Sequence, residues 1–150
     1  MPANLISHLA AEAKVTVCIP ATVDGQATTS GSILDMSGYD SVMFIAKFDD
    51  VDNTSVLTLR AQQDVLNGAG SMATLTGSAT FTAGASDADD NVLILDIHRP
   101  RDRYVRPQVI VGTANATIAC VLGVQYNARN LPVTQSADVL DTELLETPAE

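Results

Sequence analysis

Residues 41–62, SVMFIAKFDDVDNTSVLTLRAQ, decide the fold class. The first part, Ser41–Phe48, is apolar on both faces for most of its length, which is typical of a central strand covered on each side. Residues 57–62 alternate apolar and polar side chains, as a half-buried strand does. An acidic turn at Asp49–Asn53 joins the two strands, so this stretch predicts a two-stranded hairpin.

The chain before this hairpin carries a second alternating strand. Lys14–Pro20 places Val15, Val17 and Ile19 on one face and polar or small residues on the other, and a proline ends the run. A loop follows, and Ser32–Met36 is then a brief strand. The pattern predicts that the three aliphatic residues face the core.

The chain after the hairpin continues in the same way. Residues 73–82 alternate threonines and serines with apolar residues, which indicates a strand with one solvent-facing surface. Val92–His98 is typical of a buried strand, and residues 104–126 suggest a closing hairpin. About eight strands with turn signals roughly 8–12 residues apart, and no long helical period between them, predict an all-β protein. We expect an antiparallel, jelly-roll-like β-sandwich.

Both ends depart from the strand pattern, so we divide the chain into an N-terminal arm (1–13), a β-sandwich domain (14–130) and an acidic C-terminal tail (131–150). The arm contains helix formers, with Leu5 and Leu9 on one side of a short helix. The tail combines leucines, including Leu140 and Leu144, with five carboxylates. Such a tail predicts either a disordered end or an arm that folds on a neighbour.

The composition excludes several classes of function. The chain has 150 residues, 18 acidic and 8 basic side chains, and a net charge of −10, which disfavours binding to nucleic acid or to an anionic membrane. No apolar run approaches the roughly 18 residues that span a bilayer, and we expect no signal peptide. With 4% aromatic residues and no Trp, a carbohydrate-binding module is the weaker alternative.

The charge is unevenly distributed along the chain. Residues 92–130 hold five arginines and two aspartates, although the chain as a whole is acidic. Four of these arginines, Arg99, Arg101, Arg103 and Arg106, lie in one proline-bounded segment. Guanidinium groups held in a rigid segment suit bidentate pairing with carboxylates. An Arg-rich segment in an otherwise acidic chain predicts a module that binds its own copies or a protein lattice, and surface charge without a partner role is the alternative.

No motif of the sequence predicts catalysis or metal binding. The acidic clusters at 49–53 and 87–91 lack the spacing of a calcium loop and are typical of turns. His8 and His98 lie outside zinc-binding patterns. Asp96 and His98 share a strand face and could pair, although contact of this face with solvent or a nearby arginine is the favoured interpretation. We therefore expect no enzyme activity, no metal and no cofactor.

The two cysteines are far apart and form no C-x-x-C motif. Cys18 and Cys120 could pair, but in a cytoplasmically made chain two reduced and mostly buried thiols are the favoured interpretation.

Two segments, together with the Ser/Thr/Ala/Gly-rich middle of the chain, carry a resemblance. Asp35–Ala46, with its Gly-Tyr-Asp-Ser-Val entry into an apolar strand, and Asp96–Pro107 resemble the small structural proteins encoded beside major capsid proteins in tailed bacteriophages. The resemblance covers roughly residues 14–127. It implies a capsid decoration or cement protein, which is a β-sandwich or jelly roll that binds the outside of the shell and reinforces it.

The resemblance also implies partners and a location. The partners would be the major capsid protein and other copies of this chain, as a homodimer or homotrimer, and the location would be the capsid surface of the virion. Candidate contact residues are the four arginines of the proline-bounded segment together with Leu5, Leu9, Leu140 and Leu144. A head-closure, tail or fibre protein of the virion is the alternative.

Overall fold

The computed structural model describes residues 8–85 and 87–148. Strands dominate this part of the chain, and helix is confined to one turn, α1 (Leu9–Glu12), and a 3₁₀ turn at Ala69–Ser71. The strands are β1 (Lys14–Ile19), β2 (Thr28–Ser30), β3 (Leu34–Asp35), β4 (Tyr39–Val51), β5 (Val56–Asp64), β6 (Ala73–Thr74), β7 (Ala79–Thr82), β8 (Val92–His98), β9 (Tyr104–Gly112) and β10 (Ala116–Ala128).

The described strands form two antiparallel sheets. Sheet A has the order β1-β10-β4-β8, and sheet B has the order β2-β9-β5-β6. Two short strands extend sheet B, because β3 also pairs with β9 and β7 also pairs with β5. The short strands β2 and β3 thus lie one after the other along β9, and β6 and β7 lie one after the other along β5. The result is a two-sheet jelly roll. The predicted fold class is confirmed.

The two predicted hairpins are wrong. β4 lies in sheet A and β5 in sheet B, so the acidic turn between them carries the chain from one sheet to the other. The link between β9 and β10 crosses in the same way. Alternation shows that a strand has one buried face, but it does not show in which of two facing sheets the strand lies.

The core lies between the inner faces of the two sheets. Val42, Phe44, Ala46 and Phe48 alternate along β4 and are buried against the inner residues of sheet B, such as Leu59. Burying one large apolar side chain fully stabilises a fold by about 1.5–3 kcal/mol. The two phenylalanines of β4 therefore contribute strongly to holding the sheets together.

β1 differs from its predicted orientation. Its register with β10 shifts between Val17 and Ile19, which indicates a bulge. Val15 and Val17 lie opposite Val124 and Leu122 and share their outward face, whereas Ile19 is buried. The extra residue at the bulge reverses the inside–outside phase of the strand, so a single alternating pattern could not place all three on the core side.

The threonine-rich segment forms two strands instead of one. Gly77 has a φ of +106°, a conformation that favours glycine, and this turn separates β6 from β7. Thr74, Thr80 and Thr82 are exposed, in agreement with the predicted solvent-facing surface.

The helical part of the N-terminal segment is short. Among the described residues of this segment, the helix is the single turn of α1, and the rest of the expected helix, including Leu5, lies outside the described residues. Within the described ranges, the helices all fall short of the length and hydrophobicity that crossing a membrane requires.

Gly123 on β10 provides a test of the core packing. A Cβ atom at this position would lie 2.7 Å from Leu34 Cδ1 and 2.8 Å from Cys18 Sγ. Because such overpacking typically costs about 1–3 kcal/mol, Gly123→Ala should lower the free energy of unfolding by that amount in urea titrations. The control is Gly68→Ala, where a Cβ meets nothing within 4 Å. Equal stability of the two variants would contradict this packing.

Candidate functional site

An arginine-lined cleft lies at one end of the sandwich, which we call the Arg end. The link between β8 and β9, the turn before β4 and the end of β10 meet there around a volume of about 500 Å³. The lining residues are Met36, Ser37, Tyr39, Asp40, Arg99, Pro100, Arg101, Asp102, Arg103 and Arg129.

Most arginines of this cleft already have a carboxylate partner. Arg103 donates two hydrogen bonds of 2.8 Å to the carboxylate of Asp35. Arg101 pairs with Asp102 at 3.1 Å. Exposed pairs of this kind contribute only about 0–1 kcal/mol each to stability, so they orient the side chains more than they stabilise the fold.

Arg129 is also paired, since its Nη2 donates to Asp40 Oδ1 at 3.0 Å. The pairing has a further effect at Asp35, where the hydrogen bonds from Arg103 hold the pKa of the carboxyl below its usual range. That carboxylate therefore stays ionised at neutral pH. The cleft presents fixed, oriented charges.

Arg99 differs from these three arginines. Its backbone has a φ of +51° and its N–H donates to Asp40 O at 2.7 Å. Across residues 8–85 and 87–148, its guanidinium forms no ion pair, which leaves it available to a partner's carboxylate.

The four predicted arginines do not form one site. The structure brings Arg99, Arg101 and Arg103 to the cleft together with Arg129, which the sequence did not single out. Arg106 lies instead on the outer face of sheet B, where its Nε donates to Gln62 Oε1 at 2.8 Å. Arg106 belongs to β9, whereas the other three lie in the link before this strand, and its place in the strand turns its side chain to the outer face.

The opposite end of the sandwich is acidic, and we call it the acidic end. Asp49, Asp50 and Asp52 at the end of β4 lie close to Asp24 and Asp89, and local desolvation followed by the charges of these neighbours raises the pKa of Asp50. β4 runs from Tyr39 at the Arg end to Val51 at the acidic end. Its 13 residues span about 40 Å at the rise of an antiparallel strand.

Carboxylates at the acidic end accept hydrogen bonds from backbone N–H groups of the nearby chain. Asp89 Oδ1 accepts from the Val51 N–H at 2.9 Å, and Asp87 Oδ1 accepts from the Gly84 N–H at 2.7 Å. In the part of the chain that the structure describes, no group of three or more His, Cys, Asp or Glu could hold a metal ion.

The outer face of sheet B is polar and hydrogen-bonded. Arg60 Nε donates to Gln108 Oε1 at 2.6 Å, and Gln108 Nε2 donates to Ser30 Oγ at 2.9 Å. Gln62 also donates to Thr74 Oγ1 at 3.3 Å. A face with this many satisfied polar groups is typical of a surface in contact with water.

The outer face of sheet A is aliphatic, and we call it the aliphatic face. Directly opposite residues in antiparallel strands point to the same side, so the registers place one set of apolar side chains on this face. Ile94 is 51% exposed and the β4 members of the set are partly exposed. The set comprises Val15 and Val17 of β1, Leu122 and Val124 of β10, Met43 and Ile45 of β4, and Val92 and Ile94 of β8.

Asp96 and His98 lie at the Arg-end margin of the aliphatic face with separate partners. Tyr126 Oη donates to Asp96 Oδ1 at 2.6 Å, and this hydrogen bond raises the pKa of the phenol. His98 Nδ1 lies 2.9 Å from Ser41 Oγ. The possible Asp96–His98 pair is therefore replaced by a contact of Asp96 with β10 and a contact of His98 with β4.

Three of the four leucines proposed as contacts lie in the described residues, and all three are outside the core. Leu9 and Leu140 are strongly exposed, Leu140 with 98% of its surface accessible, and Leu144 is also exposed. Leu5 lies outside the described residues. The aliphatic face was missed by sequence reasoning, although Ser41–Phe48 gave a signal: a strand apolar on both sides needs a cover on both sides.

The two thiols are free. Cys18 is buried, and burial raises its pKa to about 12, which keeps the thiol protonated. Cys120 is only partly buried.

The first part of the tail covers the free edge of β1. The Val15 N–H donates to Gln135 Oε1 at 2.8 Å, and the Val17 N–H donates to Asp138 Oδ2 at 2.9 Å. Ser136 Oγ donates to Val15 O at 2.7 Å. The expectation of a disordered end or an arm for a neighbour is wrong for this segment, because its side chains satisfy the edge of the chain's own sheet.

Comparison with known proteins supports the fold. No protein-family model matches the chain, and no curated protein matches its sequence. It is similar to a chain in the structure of infectious bursal disease virus Gx strain, with a TM-score of 0.50 and 13% identity. The match covers 80% of this chain and 34% of that chain, so this chain spans about a third of its length. At this identity the likeness shows the fold alone.

A second solved structure, that of Eiger TNF from S. frugiperda, is less similar. Its TM-score is 0.34 at 7% identity, with 85% of this chain and 99% of that chain covered.

The contacts of the tail predict a local change in hydrogen exchange. In Gln135→Ala/Asp138→Ala, the amides of Val15 and Val17 lose acceptors, and since one net hydrogen bond contributes about 1 kcal/mol, their exchange should accelerate by about fivefold or more. NMR-detected exchange measures this directly.

The control variant for this test is Asp141→Ala. Asp141 belongs to the same tail, but its carboxylate accepts from Thr142 N–H and leaves β1 untouched. Unchanged exchange at Val15 and Val17 in the double variant would show that the tail does not protect the edge.

Proposed function

We propose that this chain is a non-enzymatic structural protein of a tailed-bacteriophage particle, which binds the outside of the capsid and stabilises it through protein–protein contacts. Its jelly-roll fold is shared with a chain of a virus structure, and this likeness supports a structural role in a virion. The proposed partner is the major capsid protein. Nucleic acid and membrane are not proposed partners, since the chain carries a net charge of −10.

The observation that carries the proposal is the arginine arrangement at the Arg end. Three guanidinium groups are oriented by their own carboxylates, and Arg99 beside them has no ion pair among the described residues. Arg101 is also accessible, with 80% of its side chain exposed. Such a surface fits acidic groups on a protein lattice, because guanidinium pairs with carboxylate in a defined geometry.

The chemistry of the cleft favours recognition over catalysis. Its titratable groups are Tyr39, whose phenol has a pKa raised by burial, and arginines and carboxylates of which all but Arg99 are paired among the described residues. Beside the cleft, Asp35 is held ionised by Arg103. A general acid or base requires a pKa near the working pH, and a lowered carboxyl pKa moves away from it.

A decoration role also agrees with the weakness of each contact. One exposed ion pair contributes about 0–1 kcal/mol, which is too little to hold one copy on a particle. In a symmetric shell the contact is repeated, and each bound copy stabilises only the assembled state. Modest surface charges can in this way reinforce a large structure.

Charge reversal at the Arg end tests the proposal. Arg99→Glu/Arg101→Glu should release the protein from expanded shells of the major capsid protein encoded by the same genome. We expect shell occupancy at moderate salt to fall by about tenfold or more, since repulsion replaces attraction at two positions. Co-sedimentation with the shells measures occupancy.

The matched control is Arg60→Glu, which reverses one charge on the polar outer face of sheet B, away from the cleft. It should leave occupancy unchanged. Full occupancy of the double variant would overturn the role of the Arg end. Cryo-microscopy of the native particle then separates the rival virion roles, because a lattice of copies indicates decoration and a single ring indicates a connector or tail protein.

A further inference from the structure

The aliphatic face is organised in rows across sheet A. Its central row contains one aliphatic side chain from each of the four strands: Val17, Leu122, Ile45 and Ile94. Toward the Arg end the next row holds Val15, Val124, Met43 and Asp96, and toward the acidic end it holds Cys120, Lys47 and Val92. One negative and one positive side chain therefore lie on opposite sides of the central row.

The size of this face suits the centre of a protein interface. Four strands and three rows of alternate residues cover about 19 Å by 20 Å, or roughly 400 Å². A standard interface buries about 800 Å² on each partner, with an apolar centre and a polar rim. The aliphatic face supplies the centre, and the charged ends of the sandwich supply the rim.

The contrast with sheet B indicates that the outer face of sheet A is covered by a partner and not by water. The outer face of sheet B uses arginine, glutamine and threonine in a hydrogen-bonded network. The outer face of sheet A instead presents aliphatic groups. Each 100 Å² of apolar surface removed from water contributes about 2.5 kcal/mol of stability. A complex in which a partner covers this face is therefore more stable than the separated chains.

The charge distribution identifies the partner as a second copy. Two identical faces can stack about a two-fold axis that lies in the plane of the interface. An axis parallel to the strands would bring the two Arg ends together. An axis across the strands instead places the Arg end of one copy beside the acidic end of the other. The two ends of one copy lie about 40 Å apart, so two such contacts form, one at each side of the dimer. The ends are then electrostatically complementary.

The charges within the face agree with the same axis. If the axis follows the central row, the row with Lys47 stacks on the partner's row with Asp96. Lys47 Nζ pairs with Asp90 Oδ1 of its own chain at 3.0 Å, and Asp96 accepts from Tyr126 Oη. Lys47 lies on β4 and Asp96 on the neighbouring β8, so one strand spacing of about 4.8 Å separates their projections. The Asp96 of the second copy then lies within reach of Lys47 as a second carboxylate beside Asp90. The parallel axis would leave both charges against apolar residues.

We propose that the aliphatic face is the interface of a homodimer of this chain, formed face to face about a two-fold axis across the strands. The strands of the two sheets A then run in opposite directions, at the roughly 30° angle usual for aligned sheet packing. The proposal concerns the chain's own surface and does not depend on the capsid role.

Ile94 is the position at which to test the interface. It is 51% exposed on an outer strand of the sheet, so a polar side chain there is compatible with folding. Ile94→Asp places a carboxylate on the proposed axis, against the same residue of the second copy, and the dissociation constant of the dimer should rise by at least about tenfold. Sedimentation equilibrium of the full chain over a concentration series measures this constant, with circular dichroism as a check of folding.

The matched control is Val65→Asp. Val65 follows β5, away from the aliphatic face, and is 65% exposed. This variant introduces the same charge on an exposed aliphatic residue and should dimerise like the unmodified chain.

A charge swap tests the direction of the axis. Lys47→Glu and Asp96→Lys should each weaken the dimer by about threefold to tenfold, because each places like charges against each other. The double variant Lys47→Glu/Asp96→Lys should recover most of the lost affinity. Recovery is specific to the axis across the strands, since only that axis brings the two side chains together.

Three results would overturn the proposal. One is a monomer at all concentrations, and another is a dimer that Ile94→Asp leaves intact. The third is additive losses in the charge swap, which would exclude this axis. If the unmodified chain is a monomer and Ile94→Asp still lowers its shell occupancy, the face binds the capsid instead. Failure of the capsid role alone would leave the mass measurements as predicted, so the two proposals fail separately.

Discussion

The inner face of β4 is the constraint on which the rest of the structure depends. Phe44 and Phe48 are buried against sheet B, and with them the phase of the strand is fixed. Met43, Ile45 and Lys47 must then point outward, because successive side chains alternate. The two ends of the same strand also lie in differently charged surroundings. At the Arg end Asp40 pairs with Arg129, and at the acidic end Asp49 lies among other carboxylates. Core packing thus determines the aliphatic face and the charge division together.

The fold class could be predicted from the sequence, but the assignment of strands to sheets could not. Alternation in residues 57–62 correctly indicates a strand with one buried face, since that pattern is local. Whether β4 pairs with β5 depends on how far the acidic turn carries the chain, and β4 pairs instead with β8 and β10. The bulge before Ile19 is a similar case, because one residue that is not matched across the ladder reverses the orientation of Val15 and Val17.

The candidate surfaces were predictable only in part, for the same physical reason. The arginine segment is visible in the sequence, yet the partner that orients Arg103 is Asp35, 68 positions away. Arg129 joins the cleft through Asp40, 89 positions away. The tail could not be placed either, since Gln135 and Asp138 dock on β1 through single side chains and not through a strand pattern. Contacts between distant residues decide which charges stay available.

The covered edge of β1 bears on how copies of this chain can associate. An open edge strand invites pairing with another sheet, and side chains of the tail occupy the outward N–H groups of Val15 and Val17. At the other side of sheet A, β8 packs near β7 and closes the sandwich. Association by sheet extension at β1 is therefore blocked, whereas stacking needs no free backbone groups. Because β4 is apolar on both sides and the β1 edge of its sheet is closed by the tail, we expect copies of this chain to associate through the aliphatic face.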